Sequence, residues 1–112
     1  MRIAFDVKGT LEGPKKNILL SAFVKLQEMG HECVVWSNSY GYAVDAVRDN
    51  NLDAEPMSKT MKMDLDHDET KFFDVAIDDD SSQTWLAAKR FIWVHEIETT
   101  GWLLNKILGE SK

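Results

Sequence analysis

The feature that most constrains the fold is a short apolar run that ends in a carboxylate. Residues 2–6 end at Asp6, and Gly9 follows three positions later. We predict a buried strand over residues 2–6. Such a strand would carry Asp6 to the carboxyl end of a sheet, where Gly9 lets the backbone turn sharply. Open sheets built from alternating strands and helices place their chemistry at that end.

A second apolar run also ends in a carboxylate. It covers residues 73–78, and its last residue, Asp78, is followed by Asp79 and Asp80. Two apolar strands that each end in acid, far apart along the chain, predict one shared acidic site. We assign the acidic pair to Asp78 and Asp79, because Asp78 directly follows the apolar residues, although Asp80 leaves the register open. The simpler alternative is that aspartate and glycine only mark the ends of strands.

Strand patterns and helix patterns alternate along the chain. We predict strands at residues 2–6, 32–36, 53–55, 73–78 and 91–94, and helices at residues 15–29, 40–51, 81–88 and 98–108. Strands separated by helices favour a parallel sheet, and near-continuous apolar strands are typical of a sheet buried on both faces. The sequence therefore predicts one domain over residues 1–112. Its expected fold is a three-layer, Rossmann-like α/β fold with about five mainly parallel strands flanked by helices.

Charge and composition exclude several classes of protein. The net charge of −6 argues against broad nucleic-acid binding, which needs a basic surface. No apolar run reaches the length of a membrane span, and no signal-peptide pattern is present. The single cysteine, Cys33, cannot form an internal disulfide and is expected to be a buried thiol. These features together predict a cytoplasmic protein.

Four elements follow one another in a recognisable order. A strand ends in a DxxGT motif at Asp6–Thr10, a second strand ends near Ser37, a lysine follows at Lys59 or Lys62, and another strand ends in Asp78–Asp79. This set resembles the haloacid dehalogenase superfamily. The segments in which many members insert cap domains are short here, so the chain resembles the minimal, capless members. The resemblance implies the strand order fifth, fourth, first, second, third, with the first strand central and beside the fourth.

The resemblance implies a Mg²⁺-dependent phosphatase-like hydrolase in which Asp6 is the nucleophile. A carboxylate can attack phosphorus and form an acyl phosphate. Nucleophile and substrate are both anionic, so cations are needed, and Mg²⁺ suits a site of carboxylates, a carbonyl and water. By resemblance, the metal ligands would be Asp6, the backbone carbonyl of Lys8 and the pair Asp78 and Asp79.

The resemblance also implies a phosphate-binding set. Its members would be Thr10, Ser37, Asn38 and a lysine, either Lys59 or Lys62. The lysine would assist catalysis by neutralising the nucleophile and the phosphate oxygens, and only one of the two can fill the family position. Simpler interpretations remain for these residues. Ser37 and Asn38 could belong only to a turn and helix cap, and either lysine could be a solvated surface charge.

Lys8 departs from the family pattern. Family phosphatases usually carry a second aspartate two residues after the nucleophile, which protonates the leaving group and then activates water. Because residues i and i+2 leave a strand on the same side, the Lys8 side chain could reach the same cavity as Asp6.

Two interpretations follow from Lys8. The first is a slow or specialised hydrolase of an unknown phosphorylated substrate. The second is a catalytically impaired member that binds a small phosphorylated ligand, a phosphorylated macromolecule or a protein partner. A Lys8 side chain turned away from Asp6 favours the hydrolase, whereas one paired with Asp6 favours the binding module.

Overall fold

A computed structural model describes residues 1–58, 73–79 and 88–109 of the chain. The strands are β1 (Arg2–Asp6), β2 (Glu32–Ser37), β3 (Glu55–Ser58), β4 (Phe73–Asp78) and β5 (Ala88–Trp93). The helices are α1 (Lys16–Glu28), α2 (Tyr40–Asp49) and α3 (Thr100–Gly109), with a 3₁₀ turn at Val94–Glu96. The predicted helix at residues 81–88 lies outside the described residues, except for Ala88, which begins β5.

The five strands form one parallel sheet in the order β3-β2-β1-β4-β5. This confirms the predicted α/β fold class, and the strand order is the one that the family resemblance implies. Strand β1 is central, and its residue Phe5 pairs with Ile77 of β4. The next residues along the two strands are Asp6 and Asp78, so the sheet brings these two carboxylates side by side.

One face of the sheet carries the larger core, to which α1, α2 and α3 all contribute buried side chains. Helix α1 contributes Leu19, Phe23 and Leu26 at the spacing of an amphipathic helix, and α3 contributes Leu103. The Phe23 ring packs against Phe5 of β1 with ring centroids 4.8 Å apart. Full burial of a large apolar side chain contributes about 1.5–3 kcal/mol, so this layer holds α1 firmly against the central strand.

A second buried cluster lies on the other face of the sheet. Its largest side chains are Trp36 and Phe73, whose ring centroids are 5.1 Å apart, and Ala4, Val34 and Ala76 pack with them. The sheet is therefore buried on both faces, as the continuous apolar strands predict. Within the described segments no helix is long and apolar enough to cross a membrane, and no cap domain is present.

Residue types that are typical of helix ends lie where α2 begins and where α1 ends. Ser39 caps the start of α2, because its hydroxyl oxygen accepts the Tyr42 N–H at 3.4 Å. Gly30 ends α1 with a φ of +94°, and the following His31 N–H donates to the Leu26 carbonyl at 3.0 Å. This left-handed glycine ending is common at helix C-termini.

Two predicted strands have wrong boundaries, and each has a physical reason. Strand β3 was expected at residues 53–55 but covers Glu55–Ser58, so it continues past Pro56. β3 lies at the edge of the sheet, where a residue without an N–H is tolerated. Strand β5 was expected to begin at Phe91 but begins at Ala88. Its charged residue Arg90 is half-buried, because its guanidinium donates to two carbonyls near the end of α3 at 3.0 and 2.6 Å.

Candidate functional site

Three carboxylates meet at the carboxyl edge of the sheet. Asp6 ends β1, Asp78 ends β4, and Asp79 follows directly. Each offers an oxygen, and these oxygens all lie within 4.8 Å of one another. Asp6 and Asp78 are buried, whereas Asp79 is exposed. The expectation that the two strand ends bring these acids together is confirmed.

The acidic cluster favours a proton on Asp79. Partial burial of the Asp79 carboxyl group raises its pKa, although much of the residue is exposed. A hydrogen bond with Asp78 and the negative charge of Asp78 raise it further, while a hydrogen bond with Asp6 opposes the rise. Three carboxyl groups at this separation repel one another when ionised, and a cation or a proton relieves that repulsion.

Backbone hydrogen bonds between residues close in sequence hold the loop after β1. The Leu11 N–H donates to the Asp6 carbonyl at 3.1 Å, and the Glu12 N–H donates to the Val7 carbonyl at 2.8 Å. Val7 and Leu11 are fully buried and anchor the loop in the larger core. The loop is therefore a rigid support for the first acid of the cluster.

The Thr10 hydroxyl contacts the proposed nucleophile. It donates to Asp6 Oδ2 at 3.1 Å, and Thr10 is fully buried. The resemblance placed Thr10 among the phosphate ligands, whereas its contact in the structure is with Asp6. This bond orients the Asp6 carboxylate.

Gly9 has two roles in the loop. Its φ of +77° lies in the left-handed region, which confirms the sharp turn expected from the sequence. A Cβ built on Gly9 would also lie 2.1 Å from Asp79 Oδ2. The backbone at Gly9 is therefore in contact with the third carboxylate, and the adjoining Lys8 carbonyl lies in the same peptide unit. Sequence patterns gave a signal for the turn but none for this contact.

The Lys8 side chain turns away from the acidic cluster. It is exposed, and its Nζ lies 5.2 Å from the centroid of the Tyr42 ring. Within the described residues, the contact of the ammonium is thus with an aromatic face on α2 rather than with Asp6. Of the two orientations considered from the sequence, this is the one that favours the hydrolase. Sequence patterns do not indicate Tyr42, because nothing distinguishes it from the neighbouring Tyr40.

The end of β2 provides polar groups beside the cluster. Ser37 is buried at the end of the strand that pairs with β1, and its Oγ accepts the Ser39 N–H at 3.2 Å. Ser39 in turn caps α2. These bonds match the simpler interpretation of a turn and helix cap, yet the Ser37 hydroxyl still has a proton that it can donate. Asn38 is exposed at the same edge.

Three residues named from the sequence, Lys59, Lys62 and Asp80, lie outside the described residues. Comparisons with protein-family models, curated proteins and solved structures found no match to this chain. The function is therefore inferred from the chemistry of the site.

Proposed function

We propose that this protein is a Mg²⁺-dependent phosphatase-like hydrolase of the haloacid dehalogenase type, with Asp6 as nucleophile. One observation carries the proposal. Asp6 and Asp78 come from opposite halves of the chain to one point at the carboxyl edge of the sheet, and Asp79 joins them there. Acids that only mark the ends of strands would be expected to face water, whereas Asp6 and Asp78 are buried.

The donor set fits a hard divalent cation. Carboxylate and carbonyl oxygens are the ligands that Mg²⁺ prefers, and it is usually bound through one or two carboxylates with water. Asp6, Asp78, Asp79 and the Lys8 carbonyl would hold the ion. When bound, it would neutralise negative charge on the cluster and on the substrate phosphoryl group.

The Asp6 carboxylate would perform the chemical step. Its Oδ1 would form a bond to phosphorus while the bond between phosphorus and the leaving oxygen breaks, and the leaving oxygen would take a proton from solvent water. Thr10 would hold Oδ2 during this attack. Water would then hydrolyse the aspartyl phosphate, returning free Asp6 and inorganic phosphate. Ser37, Asn38 and a lysine, Lys59 or Lys62, would bind the phosphoryl oxygens.

The substrate is proposed to be a phosphorylated small molecule or macromolecule. The identity of Lys8 favours a second candidate, a binding module for such ligands, because an ammonium replaces the usual acid–base aspartate. Loss of a general acid–base group typically costs on the order of a hundred- to ten-thousand-fold in rate. The contact of the Lys8 ammonium with Tyr42 favours the hydrolase, because the ammonium is then not paired with Asp6.

The test is hydrolysis of para-nitrophenyl phosphate with Mg²⁺. Lys8→Asp should raise the rate about tenfold or more, because it restores an acid–base group. Asp6→Asn in the Lys8→Asp background should abolish the gain. Lys25→Asp, at the far end of α1, makes the same change in charge and should leave the rate unchanged. An unchanged rate in folded, metal-binding Lys8→Asp protein would contradict any catalytic effect of Lys8, and would leave a site used for binding or not used at all.

A further inference from the structure

We propose that Tyr42 is a positioning residue that holds the Lys8 ammonium away from the acidic cluster. This role rests on the proposed metal site. Lys8 Nζ lies 5.2 Å from the centroid of the Tyr42 ring, within the range at which an aromatic face attracts a cation. The ammonium thus contacts a ring on α2, and the Lys8 side chain is exposed.

Lys8 has a competing partner close by. It lies only two residues beyond Asp6, on a flexible four-carbon stem, and the carboxylates of Asp6 and Asp78 are an attractive destination for a cation. An ammonium placed there would neutralise the same oxygens that a metal ion needs. The Lys8 ammonium can lie at the Tyr42 ring or at the carboxylates. The equilibrium between these two positions therefore affects how tightly the cluster binds Mg²⁺.

The Tyr42 ring is held where it can compete for Lys8. Its backbone N–H donates to Ser39 Oγ at 3.4 Å, and the Ser39 N–H donates to Ser37 Oγ at 3.2 Å. These bonds tie the first turn of α2 to the end of β2, which is the strand next to Asp6. Tyr42 is 45% exposed, so an aromatic face is available to a side chain from the neighbouring loop.

The test is the Mg²⁺ affinity measured by titration calorimetry. Tyr42→Ala should weaken binding about two- to fivefold, the factor expected from an exposed cation–aromatic contact. Tyr42→Phe should retain the wild-type affinity, because it keeps the ring. Tyr40→Ala is the matched control in the same turn, 50% exposed, and should have no effect. In a Lys8→Met background, Tyr42→Ala should also have no effect, because the competing ammonium is gone.

A second measurement tests the contact without any metal. The NMR signals of the Lys8 Hε protons should be shifted upfield by the Tyr42 ring and should return to ordinary values in Tyr42→Ala. If the shift is absent in the wild type, or if Tyr42→Ala removes it without changing Mg²⁺ affinity, the role of Tyr42 is wrong. If the shift is present but the wild type does not bind Mg²⁺, the proposed metal site fails and this role fails with it.

Discussion

Replacing Gly9 by alanine separates the two roles of that residue. Alanine at a φ of +77° carries backbone strain of about 1–2 kcal/mol. Gly→Ala recovers about 0.4–1 kcal/mol through the entropy of the unfolded chain, so the net loss of stability should be about 1 kcal/mol. The new Cβ would also lie 2.1 Å from Asp79 Oδ2, which forces the Asp79 carboxylate to move.

Gly30 provides the matched control for this strain. Its φ is +94°, and an added Cβ there meets nothing within 4 Å. Gly30→Ala should therefore lose about the same 1 kcal/mol, since it adds strain without a clash. The Asp79 side chain is exposed and can rotate, so the clash at Gly9 should add little to the loss of stability.

Metal affinity should distinguish the two variants. Loss of groups that orient metal ligands typically weakens binding about 10- to 100-fold, and Gly9→Ala should fall near the lower end of that range. Gly30→Ala should bind as the wild type does. Urea unfolding gives the two stabilities, and Mg²⁺ titration calorimetry gives the affinities. If Gly9→Ala binds Mg²⁺ like the wild type, the contact with Asp79 does not support a metal site.

Three further predictions follow from charge and burial. In metal-free protein, the raised Asp79 pKa contributes stability that is present below the ordinary carboxyl pKa and lost as pH rises through the raised value. In urea unfolding across that pH interval, the unfolding free energy should therefore fall less with pH for Asp79→Asn than for the wild type. An equal fall in the two proteins would contradict this prediction. Burial raises the pKa of Cys33 to about 12, so Ellman's reagent should react slowly with native protein at pH 8 and rapidly after unfolding; fast native reaction would refute it. Arg90→Met should lower the unfolding free energy measured in urea by about 1.5–3 kcal/mol, because charged hydrogen bonds to α3 are lost. Arg48→Met, on the exposed face of α2, is the control and should leave the unfolding free energy unchanged.

The fold was predictable because its signals are local. Apolar strands, helical spacing and glycine endings mark the elements, and the acids at Asp6 and Asp78 show which end of the sheet carries polar chemistry. Strand patterns and helix patterns alternate along the sequence, and this alternation alone indicates a parallel sheet. The boundary errors at Pro56 and Arg90 arose where tertiary position overrides local preference. An edge strand tolerates proline, and a charged strand residue finds carbonyl partners on a distant helix.

The side-chain arrangement of the candidate site was only partly predictable. Sequence spacing indicates that strand ends converge, but it does not say that Thr10 would donate to Asp6 or that Gly9 would contact Asp79. The Lys8 orientation depends on Tyr42, which belongs to another element and lies on a helix turn with a second tyrosine. Such contacts depend on how loops from different strands approach one another in space, and a single sequence does not encode that as a local pattern.

The position of the acidic cluster has a consequence for how the chain folds. Asp6 and Asp78 lie where β1 and β4 pair, and that pairing joins the two halves of the sheet. Contacts between residues so distant in sequence close slowly, and at neutral pH these two carboxylates repel as the strands approach. We therefore expect protons or divalent cations in the surrounding solution to ease the assembly of the sheet. Refolding in urea-jump experiments should then be faster with Mg²⁺ than without it.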